Sequence, residues 1–244
     1  VIKGGNSSQK SDIVLDIHNE KIDIQNEGFG IKSFLGSKPT LLNASGNTNF
    51  IFKIDNFDYS KMDEVNEIDT RTKLKDRILF IEKFGGKFKY IGAEKETMEH
   101  NLKISDSLMP NIIGHLLTTF YKKRISSLPK IVDEIHKSGD LNNEIDYGEK
   151  TSLEIKIKRL LVDVLLGFFA GKKWDGNYLA NGTIVMKKSG DCVGFHIIDS
   201  TSLKEYLFEN ISLDTPSTTK HRFGKLYKEK DGNIYFKLNL QLRF

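Results

Sequence analysis

The sequence predicts an α/β (α+β) protein in which a mixed β-sheet is flanked by helices. Segments of strand character occupy both ends of the chain, and apolar residues recur at helical spacing between them. The 244 residues are 38% hydrophobic and 10% aromatic, enough to build one large core. We therefore expect a single domain over residues 1–244, and we expect further residues upstream, because Val1 opens directly on a polar segment.

Strand patterns dominate the first 55 residues. The runs 12–17, 22–24 and 28–34 are rich in β-formers, and 48–54 alternates apolar and polar side chains. These four segments predict a meander.

The middle of the chain changes to helical periodicity, and strands return after it. A final hairpin is predicted over 222–244, with its turn at Asp231-Gly232. The predicted helices cover 60–84, 94–104, 106–125, 128–137, 149–169 and 202–209, and the predicted strands between the last two cover 183–187 and 193–198.

Composition excludes several classes of protein. Cys192 is the single cysteine, which excludes a disulfide scaffold and a multi-thiolate metal site and predicts a reducing, cytoplasmic setting. The longest apolar stretch, 160–170, contains Asp163 and is shorter than the ~20 residues of a membrane helix. We also expect no signal peptide.

Charge is concentrated in one segment. The chain carries a net charge of +4, and 220–244 holds seven basic residues against two acidic ones. Such a segment could bind a polyanion, but on charge alone the favoured interpretation is a hairpin whose lysines keep an edge strand soluble.

Asp12 and Lys32 lie on two neighbouring predicted strands. A carboxylate can hold a hard divalent cation, and a lysine beside the attacking water can stabilise developing charge during phosphodiester hydrolysis. Many proteins carry an unrelated aspartate and lysine at this separation, so the pair alone does not establish catalysis.

The residues around this pair carry a longer pattern. Ser11-Asp12 is followed by Gly30-Ile31-Lys32 and then by a polar run over 33–49. Further segments of the same family pattern occur at 214–224 and 238–244. Together these runs resemble the HpaII family of type II restriction endonucleases, within the PD-(D/E)XK nuclease superfamily. The resemblance brackets nearly the whole chain.

The resemblance implies a restriction-endonuclease-like mixed β-sheet flanked by helices. It also implies double-stranded DNA as substrate, cleavage at a short sequence (CCGG in family members) that leaves 5′-phosphates, and Mg2+ as cofactor. Asp12 and Lys32 would be catalytic, and Asp12 and the carbonyl of Ile31 would bind the metal. The oligomeric state, monomer or homodimer, stays open.

The chain departs from the superfamily pattern at one position. The middle acid of the motif falls on Gly30, which has no side chain. Asp16 lies about 13 Å along the strand from Asp12, too far to share a cation. Glu27 would need a bulge at Gly28 to turn inward. The substitute is left open, with Gln9 and Asn49 as the remaining candidates.

DNA contacts are predicted in three places. Short polar side chains near the pair are candidate phosphate anchors, the basic loop after 214 is the candidate for base readout, and Asp175 could accept from cytosine. A plain polar loop, or a loop that contacts only phosphates, would show the same composition. The predicted contacts are Gln9, Ser11, Ser33, Asn43, Ser45, Thr48 and Asn49 near the pair, and Thr215, Ser217, Thr218, Lys220, His221 and Arg222 in the loop.

Two other functions fit the same residues. A nuclease-like protein that binds DNA without cutting it would explain the missing acid at Gly30. A nuclease of DNA repair would share the fold and the metal. Cleavage of a plasmid with and without Mg2+ distinguishes the three, because only a restriction enzyme yields discrete fragments.

Overall fold

Strands run through both ends of the chain and also through its middle. The structure is a computed structural model that describes residues 10–18, 23–139, 141 and 145–244. In chain order the strands are β1 (Ile13–His18), β2 (Asp23–Ser33), β3 (Thr40–Leu42), β4 (Asn49–Asp55), β5 (Lys87–Ala93), β6 (Gly182–Met186), β7 (Cys192–His196), β8 (Ser212–Leu213), β9 (Leu226–Lys228), β10 (Ile234–Asn239) and β11 (Leu242–Arg243).

Except for the short helix Thr218–His221, which falls in a predicted loop, the described helices agree with the predicted ones in place and differ in their bounds. The predicted helix over 60–84 is two helices, separated by a turn near Thr70. The helices are α1 (Met62–Glu67), α2 (Lys73–Lys83), α3 (Glu96–Ser105), α4 (Met109–Lys123), α5 (Leu128–Ser138), α6 (Lys150–Leu166), α7 (Ser200–Asn210) and α8 (Thr218–His221). None of the described helices has the length and apolarity needed to cross a bilayer.

The first sheet is the predicted mixed one, with strand order β1-β2-β6-β7. β1 and β2 form an antiparallel hairpin, β2 and β6 run parallel, and β6 and β7 are antiparallel. Because β2 is central, its backbone is held on both sides. The hydroxyl of Thr183 in β6 also donates to the carbonyl of Gly30 in β2, at 3.0 Å.

The predicted meander is wrong, because β4 leaves the first hairpin and joins a second sheet. That sheet is antiparallel with order β5-β4-β10-β9, and β3 belongs to a third sheet of order β3-β11-β8. Asn49 in β4 lies opposite Asn239 in β10, so the pairing is set by residues far along the chain. The α/β class with helices around mixed and antiparallel sheets is confirmed.

A large core lies between the second sheet and the helices. Phe50 and Phe52 of β4 and Phe236 of β10 are fully buried there, which explains the alternating pattern of these strands. In α6 the whole run 160–166 is buried, including Asp163. The Asp163 carboxylate accepts hydrogen bonds from Ser105 and Tyr178, as a buried carboxylate requires.

A buried polar network joins β4 to β10. The amide nitrogen of Asn239 donates to the Asn49 side-chain oxygen at 2.7 Å and to the Ser45 carbonyl at 2.8 Å, and its oxygen accepts from Thr48 at 3.3 Å. Thr48, Asn49 and Asn239 are at most 2% exposed. The network therefore replaces the water that these groups lose on folding.

We predict that Asn239→Ala lowers the free energy of unfolding by about 2 to 4 kcal/mol, because it leaves several buried polar groups without partners. Asn210→Ala is the control, since it truncates an exposed asparagine at the end of α7. Urea unfolding of both variants measures the difference. Equal losses in the two variants would contradict the role assigned to the network.

Candidate active site

The first hairpin brings Asp12 and Lys32 to one face of the sheet, as predicted. Ile13 lies opposite Phe29, and the amide of Asp12 donates to the Phe29 carbonyl at 2.8 Å, so Asp12 lies beside Gly30. Lys32 follows two residues along β2 and therefore has the same orientation as Gly30.

The Asp12 carboxylate is exposed, and one of its oxygens is fixed. Oδ2 accepts a hydrogen bond of 2.6 Å from the amide of Ile31. Oδ1 takes no hydrogen bond from any residue that the structure describes, so it is free to bind a cation. The backbone of β2 thus orients the Asp12 carboxylate through the amide of Ile31.

Lys32 is partly buried beside this carboxylate. Its Nζ donates to the carbonyl of Thr40 in β3 at 3.2 Å. Burial lowers the pKa of the Lys32 ammonium from its ordinary value, and the charge of Asp12 opposes that shift. The lysine is therefore a desolvated donor next to an exposed carboxylate.

Lys10 is a second lysine at the site, which sequence reasoning missed. Its Nζ donates to the carbonyl of Val164 in the last turn of α6 at 2.9 Å and lies 4.2 Å from the ring centre of Phe169. Burial, and then the charge of Lys32, lowers the pKa of Lys10 to about 8. Its partners are more than 150 residues away along the chain, so no local pattern could have indicated it.

Gly30 is a position where the backbone leaves no room for an acid. A Cβ at this position would lie 2.9 Å from the carbonyl oxygen of Lys10, closer than such contacts allow. The same atom would lie 3.9 Å from Oδ2 of Asp12, so the position faces the site. The missing acid therefore follows from the close approach of Lys10 to β2.

None of the described candidates takes the place of the acid that is missing at Gly30. Asp16 accepts a hydrogen bond from the amide of Asn26 at 2.8 Å, and Glu27 contacts Nε2 of His196 at 3.0 Å. Asn49 is buried in the network described above, and Gln9 lies outside the described residues. In the described ranges no three His, Cys, Asp or Glu residues come together as a metal-binding group. Of the acids weighed in the described part of the chain, Asp12 alone therefore remains a candidate metal ligand.

The candidate phosphate anchors divide into exposed and buried ones. Asn43 is exposed, and Ser33 accepts from the amide of Leu35 at 3.3 Å. Ser45 caps a 3-10 turn by accepting from the amide of Asn47. The buried side chains of Thr48 and Asn49 bond within the protein, so this structure does not place them where they could reach DNA.

Ser11 and Asp175 occupy smaller local roles. Ser11 packs against Gly28. A side chain at Gly28 would place its Cβ only 2.9 Å from the Cβ of Ser11. The exposed Asp175 accepts hydrogen bonds from the backbone amide and from the side chain of Asn177. The hydrogen bond from the backbone amide contributes most to lowering the pKa of Asp175. The neighbouring Trp174 is buried and packs on Phe168, as expected of a core residue.

The basic loop after 214 forms the short helix α8, which separates two clefts. Ser217 caps α8 by accepting from the amide of Lys220 at 3.2 Å. Thr215, Ser217, Lys220 and Arg222 are exposed, whereas Thr218 and His221 are half-buried. The first cleft has a volume of about 670 Å³ and the second about 620 Å³, and Thr218 lines both.

Both clefts are strongly cationic. The single acid among the residues that line the first cleft is Asp214, and in the second it is Asp69. Six cations line the first cleft, namely Lys38, Arg71, Lys73, Lys75, Arg124 and Arg243, and five line the second, namely Lys73, Arg77, Arg222, Lys225 and Lys237.

Several of the first cleft's cations form no direct ion pair with a described residue, although Lys75 and Arg124 lie near enough to Asp76 for their charges to help lower its pKa. Lys38, Arg71, Lys75 and Arg124 make no side-chain hydrogen bond or ion pair within the described part of the chain. Lys38 belongs to the segment between β2 and β3, so the cleft begins close to the strand that carries Lys32. Unpaired cations in a concave surface are suited to a polyanion.

We predict that stability depends on pH through Lys10. Its pKa of about 8 in the folded chain is below the ordinary 10.5, so the unfolded chain binds more protons between these values. Folding stability contributed by Lys10 therefore rises as the pH increases from about 8 to 10.5, by up to about 3 kcal/mol. Lys10→Met removes this dependence.

Urea unfolding of the parent and Lys10→Met at several pH values from 7.5 to about 10.5 measures the effect. Tyrosines titrate equally in both proteins, so the difference between the two curves isolates Lys10. Parallel curves would show that Lys10 keeps its proton in the folded chain as readily as in the unfolded one.

Comparison with known proteins identifies the family of this chain. The family model described as HpaII restriction endonuclease matches residues 1–244. The Type II restriction enzyme HpaII of Haemophilus parainfluenzae is 34% identical over 240 residues, which cover 98% of this chain and 66% of that protein. The search of solved structures returned no match. The chain therefore belongs to the HpaII restriction endonuclease family.

Proposed function

We propose that this protein is a type II site-specific deoxyribonuclease of a restriction-modification system. It hydrolyses phosphodiester bonds of double-stranded DNA at a short recognition sequence, for which we propose CCGG, and leaves 5′-phosphates. The observation that carries the proposal is the placement of Asp12 and Lys32 on adjacent strands of the mixed sheet, in a chain of this family.

The donors at the site suit a magnesium ion that keeps much of its water. Mg2+ in nucleic-acid enzymes is commonly held by one or two carboxylates together with substrate phosphate. Oδ1 of Asp12 and the carbonyl of Ile31 would hold it here, and the ion would activate water and neutralise charge on the phosphate. A single carboxylate also explains why such a site needs DNA to complete it.

Lys32 acts on the water and the phosphate. Its desolvated Nζ can donate to a phosphate oxygen while the Thr40 carbonyl fixes its direction. Water attacks phosphorus, the bond to the 3′ oxygen breaks, and the departing oxygen takes up a proton. The 5′-phosphate remains on the other fragment.

The clefts beside α8 are the proposed path of the DNA. The unpaired cations of the first cleft would contact phosphates, whose charge dominates affinity for DNA. The exposed Thr215, Lys220 and Arg222 of the α8 loop would lie against the duplex between the two clefts. We propose this protein acts as a monomer or homodimer on double-stranded DNA.

We predict that Asp12→Ala and Lys32→Ala each abolish cleavage of plasmid DNA while specific binding in Ca2+ is retained. Asp12 would hold the metal and Lys32 would handle the water, so neither loss is compensated. Lys89→Ala, which removes an exposed lysine of the edge strand β5, is the matched control.

Discrete fragments from the parent with Mg2+ support the restriction enzyme. A parent that binds one sequence but never cuts would favour the DNA-binding alternative, and non-specific or damage-dependent cutting would favour a repair nuclease. A variant that still cuts within about tenfold of the parent would remove its residue from the catalytic role.

We also predict that Mg2+ binds weakly to the free protein and more tightly once DNA is present. One carboxylate offsets little of the cost of dehydrating a small, hard ion, and DNA phosphate supplies further oxygen ligands. Calorimetric titration with Mg2+, with and without uncleavable duplex, measures both affinities. Tight binding to the free protein would show that another acid joins Asp12.

A further inference from the structure

We propose that Arg243, which is ion-paired with Asp214, is a specificity-determining residue that contacts a guanine of the recognition sequence from the first cleft. The proposal rests on the function proposed above and names a residue that reads the DNA. Four observations support it: the position of Arg243 in the third sheet, the fixing of its partner, the freedom of its terminal nitrogens and the charges around it.

The third sheet places Arg243 beside Thr40, the residue whose carbonyl accepts a hydrogen bond from Lys32. In β11, Arg243 lies opposite Thr40 of β3 on one side and Ser212 of β8 on the other. The carbonyl of Thr40 is the group that accepts from Nζ of Lys32. Paired residues on adjacent antiparallel strands lie about 5 Å apart at Cα. Arg243 is therefore one strand away from the residue whose carbonyl anchors Lys32.

Asp214 gives the guanidinium a fixed partner. Its Oδ2 lies 3.3 Å from Nε of Arg243, and its Oδ1 accepts from the amide of Thr215 at 2.8 Å. The backbone amide of Asp214 donates to the Gln241 carbonyl at 3.1 Å, which ties the acid to the segment that precedes β11. The carboxylate is thus oriented by the fold before any ligand arrives.

The side-chain nitrogens of Arg243 donate no hydrogen bond to any residue that the structure describes. Nε is buried and makes no hydrogen bond, and neither terminal nitrogen has a hydrogen-bond partner among the described residues. Arg77 shows the contrast, because its nitrogens donate to the carbonyls of Asn66, Ile68 and Gly224. Arg77 therefore has a structural role. The terminal nitrogens of Arg243, in contrast, remain available to donate hydrogen bonds to a ligand.

The chemistry of that ligand follows from the geometry. An arginine that is ion-paired with a carboxylate and whose two terminal nitrogens have no hydrogen-bond partner can present those nitrogens as a fork, which matches O6 and N7 of guanine in the major groove. The unpaired cations around it, Arg71, Lys75 and Arg124, can take the flanking phosphates. Arg222 and Lys220 lack any such partner within the described chain, so they are better suited to phosphate than to a base.

The test compares Arg243→Lys and Asp214→Asn with the parent on cognate duplex and on duplexes with one base pair changed. Lysine keeps the positive charge but lacks the paired nitrogens of the guanidinium, and Asp214→Asn removes the ion pair with Arg243. Arg159→Lys, the same change at an exposed arginine of α6 outside both clefts, is the control. Arg222→Lys and Arg71→Lys serve as comparison arms. Binding is measured in Ca2+ at two salt concentrations, and thermal melting verifies folding.

We expect Arg243→Lys to lose roughly 10- to 100-fold in affinity for the cognate duplex while binding to changed duplexes is nearly preserved. Asp214→Asn should show a smaller loss of the same kind. Equal losses on all duplexes would make Arg243 a phosphate contact, and no loss, or discrimination lost only in Arg222→Lys, would also overturn the proposal.

Failure of the proposed function gives a different result. A parent that binds one sequence tightly but never cuts with Mg2+ contradicts the nuclease and still allows Arg243 to be tested by binding. A parent that cuts discretely, with an Arg243→Lys variant that discriminates as well as the parent does, contradicts this inference alone. If Arg243→Lys fails to fold, Asp214→Asn decides by the same comparison.

Discussion

The pairing of β4 with β10 is the constraint on which the rest of the structure depends. It carries Phe50, Phe52 and Phe236 into the core and places Asn49 against Asn239. β10 continues through a short connection into β11, which holds β3 and β8 together in the third sheet. The support of Lys32 at Thr40 and the wall of the first cleft therefore both follow from one antiparallel pairing.

The parts of the fold that could be predicted are those set by local pattern. The Asp12 and Lys32 strands form a hairpin, so their adjacency needed no distant contact, and the long helices follow from apolar spacing. β5 shows a missed local signal, because Lys87, Phe88, Lys89 and Tyr90 alternate as an edge strand does. That alternation follows Gly85-Gly86, where the predicted helix had already ended.

The parts that could not be predicted depend on contacts between distant residues. Thr48 and Asn49 are polar and follow Lys32 along the chain, which is typical of a DNA-facing loop, yet both are hydrogen-bonded to Asn239 in the interior. Lys10 acquires its environment from the end of α6, and Arg243 acquires its partner from the residue after β8. Nothing in the spacing of these residues along the chain indicates such contacts.

The separation along the chain also bears on the order in which the molecule assembles. Asn49 and Asn239 are 190 residues apart, whereas β1 and β2 are neighbours. Short-range hairpins form within microseconds, and long-range strand pairing is the slow step in proteins rich in distant contacts. The hairpin beside which Asp12 and Lys32 lie is therefore expected to form well before the first cleft. A chain arrested at that stage would have a hairpin that bears Asp12 and Lys32 without the Thr40 support, so completion of the slow pairing would be the event that adds both this support and the wall of the first cleft.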